Sequence, residues 1–127
     1  MLYLTYKTII KNYIKAYNSF DIKGMLSDLD STIEFENQVD GRIRLKITGI
    51  REFEEQAIRA KNYFMRRQMK VTGWHFENNV VTVDVIFEGI LAVDSLDGPK
   101  MGEILKIKGI SEFTFFGEKI IQIVEKS

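Results

Sequence analysis

Few side chains in this sequence could perform acid–base or nucleophilic chemistry. The chain has no cysteine and a single histidine, His75, so we expect no thiol nucleophile, no disulfide and no cysteine-based zinc site. Any metal would have to be held almost wholly by carboxylates, and we expect neither a metal nor a cofactor. His75 is the only side chain whose ordinary pKa lies near neutrality, but a lone histidine on a strand is more often structural or exposed than catalytic.

Hydrogen-bonding side chains on apolar faces form a second group of candidates. Tyr13 and Tyr17 lie on the apolar stripe of the first predicted helix, where a tyrosine is either a core residue or a donor to a ligand. Asn37 ends the first predicted strand, where its amide either satisfies nearby backbone groups or orients a ligand. Gln56 and Tyr63 share one flank of the third predicted helix and face either a pocket, a dimer interface or solvent.

The composition is typical of one globular domain. A chain of 127 residues is long enough for one core, and we treat residues 1–127 as a single domain. Its 18 basic and 18 acidic side chains cancel, so nothing indicates a nucleic-acid partner. Thr5, Lys7 and Lys11 interrupt the first apolar stretch. We therefore expect no signal peptide, no membrane span and a cytoplasmic location.

Three helices are predicted in the first half of the chain. Apolar residues recur every three or four positions from Thr5 to Phe20, which is typical of an amphipathic helix. Asp21 is a suitable N-cap for a short second helix. The third helix is predicted from about Ile50 to Met69. Near its end, Arg67 either complements the helix dipole or meets an acidic group of a ligand.

The other segments alternate with period two and are predicted to be strands. Asp40-Gly41 is a strong turn signal between the first two of them. Gly89 predicts a bulge or a bend inside a strand of unusual length. The six predicted strands are Ser31–Asn37, Arg42–Thr48, Val71–Glu77, Val80–Asp94, Ile104–Phe116 and Lys119–Glu125.

The order of these elements, α-α-β-β-α-β-β-β-β, indicates an α+β fold. Long strands with a glycine inside them favour a sheet that curls. We expect a cone-like, curved, mixed but mainly antiparallel sheet that wraps around the three helices and encloses a pocket.

Four stretches of the sequence, in this order and spacing, resemble the nuclear-transport-factor-2-like superfamily, also called SnoaL-like or ketosteroid-isomerase-like. The resemblance covers essentially the whole chain, and other stretches resemble a bacterial SnoaL-like subgroup. It implies the fold but little about activity, because the superfamily includes isomerases, cyclases, dehydratases, carriers and interaction modules. The four stretches are Tyr13–Asp21, Ile33–Asn37, Thr48–Phe53 and Phe113–Ile121.

The resemblance also implies which residues would catalyse an isomerisation. Such isomerases use a carboxylate base and two donors that hold an oxyanion. Tyr13 falls where the family has its oxyanion tyrosine, and Ser111 where it has the acidic donor. The base should face inward near the end of the first strand, but the inward residues there are Phe35 and Asn37, which cannot take a proton. The usual catalytic carboxylate is therefore missing from its expected place.

Two hypotheses follow for the function. The first is a cavity for a small, mostly apolar ligand with a polar tip, with isomerase, cyclase or dehydratase chemistry if the protein is an enzyme. The second is a non-catalytic homodimeric module that pairs through its sheet face and fills its interior with its 9 phenylalanines and 5 tyrosines. In that case Asp84 and Glu88, on the outer face, could pair with Lys106 or Lys108. The expected ligand-binding residues are Tyr13, Tyr17, Phe35, Asn37, Gln56, Tyr63, Ser111 and Phe113.

Overall fold

The computed structural model describes residues 2–127 as three helices and six strands in the predicted order. The helices are α1 (Leu2–Asn18), α2 (Ile22–Leu26) and α3 (Ile50–Lys61). The strands are β1 (Leu29–Val39), β2 (Arg42–Thr48), β3 (Phe64–Glu77), β4 (Val80–Leu91), β5 (Ile104–Phe116) and β6 (Lys119–Lys126). No helix within residues 2–127 is both long and apolar enough to cross a membrane.

The six strands form one curved, open sheet in the order β2-β1-β6-β5-β4-β3. Only β1 and β6 run parallel, and every other neighbouring pair is antiparallel. The predicted α+β fold with a mixed, mainly antiparallel sheet is therefore confirmed. Asp40 and Gly41 both have positive φ angles, of 52° and 76°, as the tight turn between β1 and β2 requires.

The third helix is much shorter than predicted. It ends at Lys61, and the chain enters β3 at Phe64 rather than at Val71. From this point the buried positions are Arg67 and Met69, separated by the exposed Gln68, which is the alternation of a strand. This alternation was not recognised in the sequence because one of the inward-facing residues, Arg67, is charged. The longer β3 pairs with β4 as far as Leu91.

Gly89 does not form a bulge in β4. The pairing of β4 with β5 continues without a register shift through Gly89. A Cβ atom at this position would lie 2.8 Å from the ring of Phe64 and 2.9 Å from that of Phe87. The glycine therefore makes room for two aromatic rings that pack edge to face.

The apolar core lies between α1 and the central strands of the sheet. Tyr6 of α1 stacks on Phe115 of β5 with 4.0 Å between ring centroids, and Tyr13 meets Phe113 edge to face at 5.8 Å. Phe113 and Phe115 are each 1% exposed. Because such buried aromatic rings remove a large apolar area from water, this part of α1 and β5 contributes strongly to the stability of the core.

Candidate functional site

A cavity lies beyond this core and has two adjacent compartments, the larger of which opens to the surface beside Ile110 and Lys126. The larger has a volume of about 210 Å³ and the smaller about 160 Å³. Tyr17, Asn37 and Glu125 line both compartments and so lie where they meet. Each volume alone is below the roughly 300–1,000 Å³ of a drug-sized ligand site.

Strand β5 explains why space remains on one side of Phe113. Ile107, Gly109 and Ser111 precede it on the same face of the strand and line the larger compartment. Two of these three side chains are small, whereas Phe113 and Phe115 fill the core. Because close-packed interiors leave few voids, the change from small to bulky inward residues marks the boundary between cavity and core. An interior filled by aromatic rings is therefore not favoured.

Glu125 of β6 carries a carboxyl group that faces this cavity. It follows the fully buried Ile123 by two positions, so the two side chains share one face of the strand. Asn37 is its partner in the parallel pairing of β1 and β6. The Asn37 Nδ2 donates a long hydrogen bond of 3.4 Å to the Glu125 Oε1. The cavity is thus lined by a carboxyl group from β6, next to the amide at the end of β1.

The surroundings of Glu125 favour its neutral form. Loss of hydration in the cavity raises the pKa of the carboxyl group above its usual range, while the Asn37 hydrogen bond and the positive charge of Arg67 oppose this rise. Glu125 was not among the residues predicted to line the cavity. The available signal was its two-residue spacing from Ile123, which places both side chains on one face of β6.

Two tyrosines of α1 flank the carboxyl group. Tyr13 lines the smaller compartment, and Tyr17 lines both. Burial raises the pKa of Tyr13 well above its ordinary value, and the negative charge of Glu125 raises it further. Burial also raises the pKa of Tyr17. Both hydroxyl groups therefore keep their protons at neutral pH and can act as hydrogen-bond donors.

Six of the eight predicted binding residues line the cavity. They are Tyr13, Tyr17, Phe35, Asn37 and Gln56, with Ser111 in the larger compartment. Phe113 instead lies in the core behind Tyr13. Tyr63 is 52% exposed in the turn between α3 and β3 and does not line the cavity, because α3 ends before reaching it.

His75 lies outside the cavity. Its side chain is 67% exposed, and Nε2 lies 3.2 Å from the Asp84 carboxylate. Glu88 pairs with Lys106 at 3.6 Å across the outer face, which is one of the predicted pairs. Within residues 2–127 no group of three or more His, Asp or Glu side chains is placed to hold a metal ion.

Several solved structures share this fold. A proposed polyketide cyclase from Xanthomonas campestris pv. campestris has a TM-score of 0.84 and 16% identity, covering 98% of this chain and 90% of its own. A proposed SnoaL-like polyketide cyclase from Jannaschia sp. CCS1 has a TM-score of 0.81 and 12% identity, covering 96% and 84%. A ketosteroid-isomerase-like protein from Catenulispora acidiphila, in complex with trimethylamine, has a TM-score of 0.75 and 12% identity, covering 92% and 82%.

These similarities define the class of fold. The chain has the nuclear-transport-factor-2-like fold shared by SnoaL-like and ketosteroid-isomerase-like proteins, as its sequence predicted. No family model matches the chain, and no curated protein matches it in sequence. At identities of 16% or less the likeness concerns the fold, and the function has to be argued from the site.

Proposed function

We propose that the protein binds a small, mostly apolar ligand in this cavity and transfers a proton on it, with Glu125 as the general base. The observation that carries the proposal is that the Glu125 carboxyl group faces the cavity and accepts a hydrogen bond from the Asn37 amide. A base works best when its pKa lies near the working pH. Desolvation moves the pKa of Glu125 in that direction.

The reaction class follows from the groups around Glu125. Removing a proton beside a carbonyl group leaves negative charge on the carbonyl oxygen, which needs a hydrogen-bond donor. Tyr13 remains protonated beside the same compartment and can supply that donor. Ser111, only 2% exposed, offers a second hydroxyl in the larger compartment. Isomerisation, cyclisation and dehydration each begin with such a step, and the related folds include proposed polyketide cyclases.

The roles of the remaining polar groups can be stated at named atoms. The Asn37 Nδ2 holds one oxygen of Glu125, which fixes the carboxylate and leaves its other oxygen to take the substrate proton. The apolar rings of Phe64 and Phe87 bound the larger compartment and shield from water the side of a ligand that packs against them. The same carboxyl group can then return the proton at a second carbon of the ligand.

Deuterium uptake by small ketones tests the proposal and does not require the natural substrate. A panel of cyclic ketones and 1,3-diketones is incubated in deuterated buffer, and exchange beside the carbonyl is followed by proton NMR. We expect the protein to accelerate exchange for at least one compound, and Glu125→Gln to reduce this rate roughly 100-fold or more. Glu34→Gln is the matched control because Glu34 is exposed on the face of β1 opposite Asn37. Equal rates for the wild type and Glu125→Gln would contradict the proposal.

A further inference from the structure

Arg67 is the one buried cation that residues 2–127 place in the cavity wall. It is 5% exposed, and Ser111 is the one other buried polar residue within residues 2–127. Its side chain projects from β3 and lines the smaller compartment together with Tyr13 and Gln56. Although burial lowers the pKa of Arg67, an arginine starts so far above neutrality that it keeps its proton. A permanent positive charge therefore lies at the wall of this compartment.

The protein does not neutralise this charge at close range. The Arg67 Nε donates to the backbone oxygen of Tyr17 at 2.9 Å, and Nη2 lies 3.9 Å from the Met25 sulfur. The guanidinium carbon lies 3.7 Å from the ring centre of Tyr17 and 4.7 Å from that of Phe20. Within residues 2–127, no carboxylate oxygen lies within 4.0 Å of it. Burying an unpaired charge is costly, and contacts with aromatic faces offset only part of that cost.

Burial lowers the pKa of Arg67, and the charges of Tyr17, Tyr13 and then Glu125 oppose this; among these three groups Glu125 is the carboxyl group, and it acts without direct contact. Because the pKa of the Glu125 carboxyl group is raised, that group compensates Arg67 less than an ordinary glutamate would. A planar anion inside the smaller compartment would provide the missing partner. A carboxylate suits a guanidinium best, because the two can form a pair of parallel charge-assisted hydrogen bonds.

We infer that the ligand carries a carboxylate that binds Arg67 in the smaller compartment, with its apolar body in the larger one. This inference rests on the proposed function, since it specifies the ligand class of the same cavity. The body would lie against Phe64, Phe87 and Val85, which line the larger compartment. The ligand class is thus a flat, apolar carboxylic acid of one or two rings whose reacting carbon lies beside Glu125, between the two compartments.

A purely structural role for Arg67 is the competing explanation, because the hydrogen bond from its Nε to the backbone oxygen of Tyr17 joins β3 to the end of α1. Stability alone cannot separate the two roles, since losing the arginine would weaken the fold in either case. A preference between an acid and its neutral amide does separate them. An arginine with only a structural role would not change the preference for the acid, whereas an arginine that binds the anion would determine it.

The test is calorimetric titration with two matched pairs of probes, benzoate with benzamide and 2-naphthoate with 2-naphthamide. We expect the wild type to bind at least one acid about tenfold or more tightly than its amide. Arg67→Gln should abolish this preference, and Arg66→Gln, at the exposed neighbouring position, should retain it. If Arg67→Gln does not fold, a crystal structure of the wild type with 2-naphthoate replaces it, and the carboxylate should contact the Arg67 guanidinium.

The outcomes separate this inference from the proposed function. Equal affinity for acid and amide in the wild type would overturn the inference and leave the cavity as a ligand site. A naphthoate bound instead in the outer groove, which Arg66, Glu88 and also Arg67 line, with its ring outside the larger compartment, would also overturn it. No binding by any of the four probes at millimolar concentration would contradict both proposals.

Discussion

Asn37 and Glu125 are paired across the parallel strands β1 and β6, and the amide of Asn37 donates to the carboxyl group of Glu125 at 3.4 Å. The resemblance to ketosteroid isomerases predicts an acid on β1, where this chain has an asparagine. The pairing of the two strands nevertheless places a carboxyl group at the cavity. The amide that holds it comes from β1, and the carboxyl group itself comes from the last strand of the sheet.

Removing the side-chain amide of Asn37 should destabilise the charged form of Glu125. The Asn37 hydrogen bond lowers the pKa of Glu125 against the larger effect of desolvation, so Asn37→Ala should raise that pKa further. Titration of the carboxyl carbon of Glu125 by NMR measures the shift directly. An unchanged or lower pKa in Asn37→Ala would show that the long contact does not influence the carboxyl group.

The raised pKa of Glu125 also predicts how stability depends on pH. An acid whose pKa is higher in the folded state binds its proton more tightly there, so folding loses stability as pH rises from the unfolded value of about 4.3 through the folded one. Glu125→Gln should therefore unfold at higher denaturant concentration than the wild type at about pH 7. The difference should disappear below about pH 4. A wild type more stable than Glu125→Gln at neutral pH would contradict the prediction.

Filling the larger compartment should prevent ligand binding while preserving the fold. Ser111→Leu places a bulky side chain where the small hydroxyl now lines the space, and overpacking of this kind costs about 1–3 kcal/mol. We expect roughly a tenfold or greater loss of affinity for any cavity ligand, measured by titration at a temperature where the variant is folded. The control is Thr114→Leu, on the opposite face of β5, and equal affinities of the two variants would argue against this compartment as the site.

We propose that the protein forms a homodimer through the outer face of its sheet. Three apolar side chains on that face of β5 are exposed, namely Ile104 at 69%, Ile110 at 39% and Phe116 at 76%. Exposed apolar side chains on a long strand favour cover by a second copy of the chain. Ile104→Glu should shift the mass in light scattering from dimer to monomer at micromolar concentration. Ile58→Glu on α3, where Ile58 is 47% exposed, should stay dimeric, and a monomeric wild type would contradict the proposal.

The sequence predicted the fold well because its patterns are local. The alternation in β5 extends over the predicted span, Ile104–Phe116, and the Asp21 side chain caps α2 by accepting from the Gly24 amide at 2.9 Å. The errors occurred where a charged residue faces inward. The start of β3 was not predicted because Arg67 interrupts its apolar alternation, and Glu125 was not predicted to line the cavity. In both cases a pattern of apolar residues cannot distinguish an inward-facing charge from the end of the pattern.

Site residues were predictable to the extent that they lie on regular elements. Tyr13 and Asn37 reach the cavity because helix and strand periodicity determine their direction. Tyr63 does not, because its predicted direction depended on a helix that ends at Lys61. The pairing of Asn37 with Glu125 joins positions 88 residues apart, and it depends on β6 lying parallel to β1, which no local pattern indicates.

The central claim is that Glu125 is the base of a proton-transfer site, and its most direct test is a pair of pH titrations. One follows the rate of deuterium exchange into the best ketone of the panel, and the other follows the NMR signal of the Glu125 carboxyl carbon. Because the base acts in its deprotonated form, we predict that the rate rises with pH through one ionisation whose pKa matches that of Glu125, above the usual range for glutamate. An exchange rate that does not follow the ionisation of Glu125 would contradict the account.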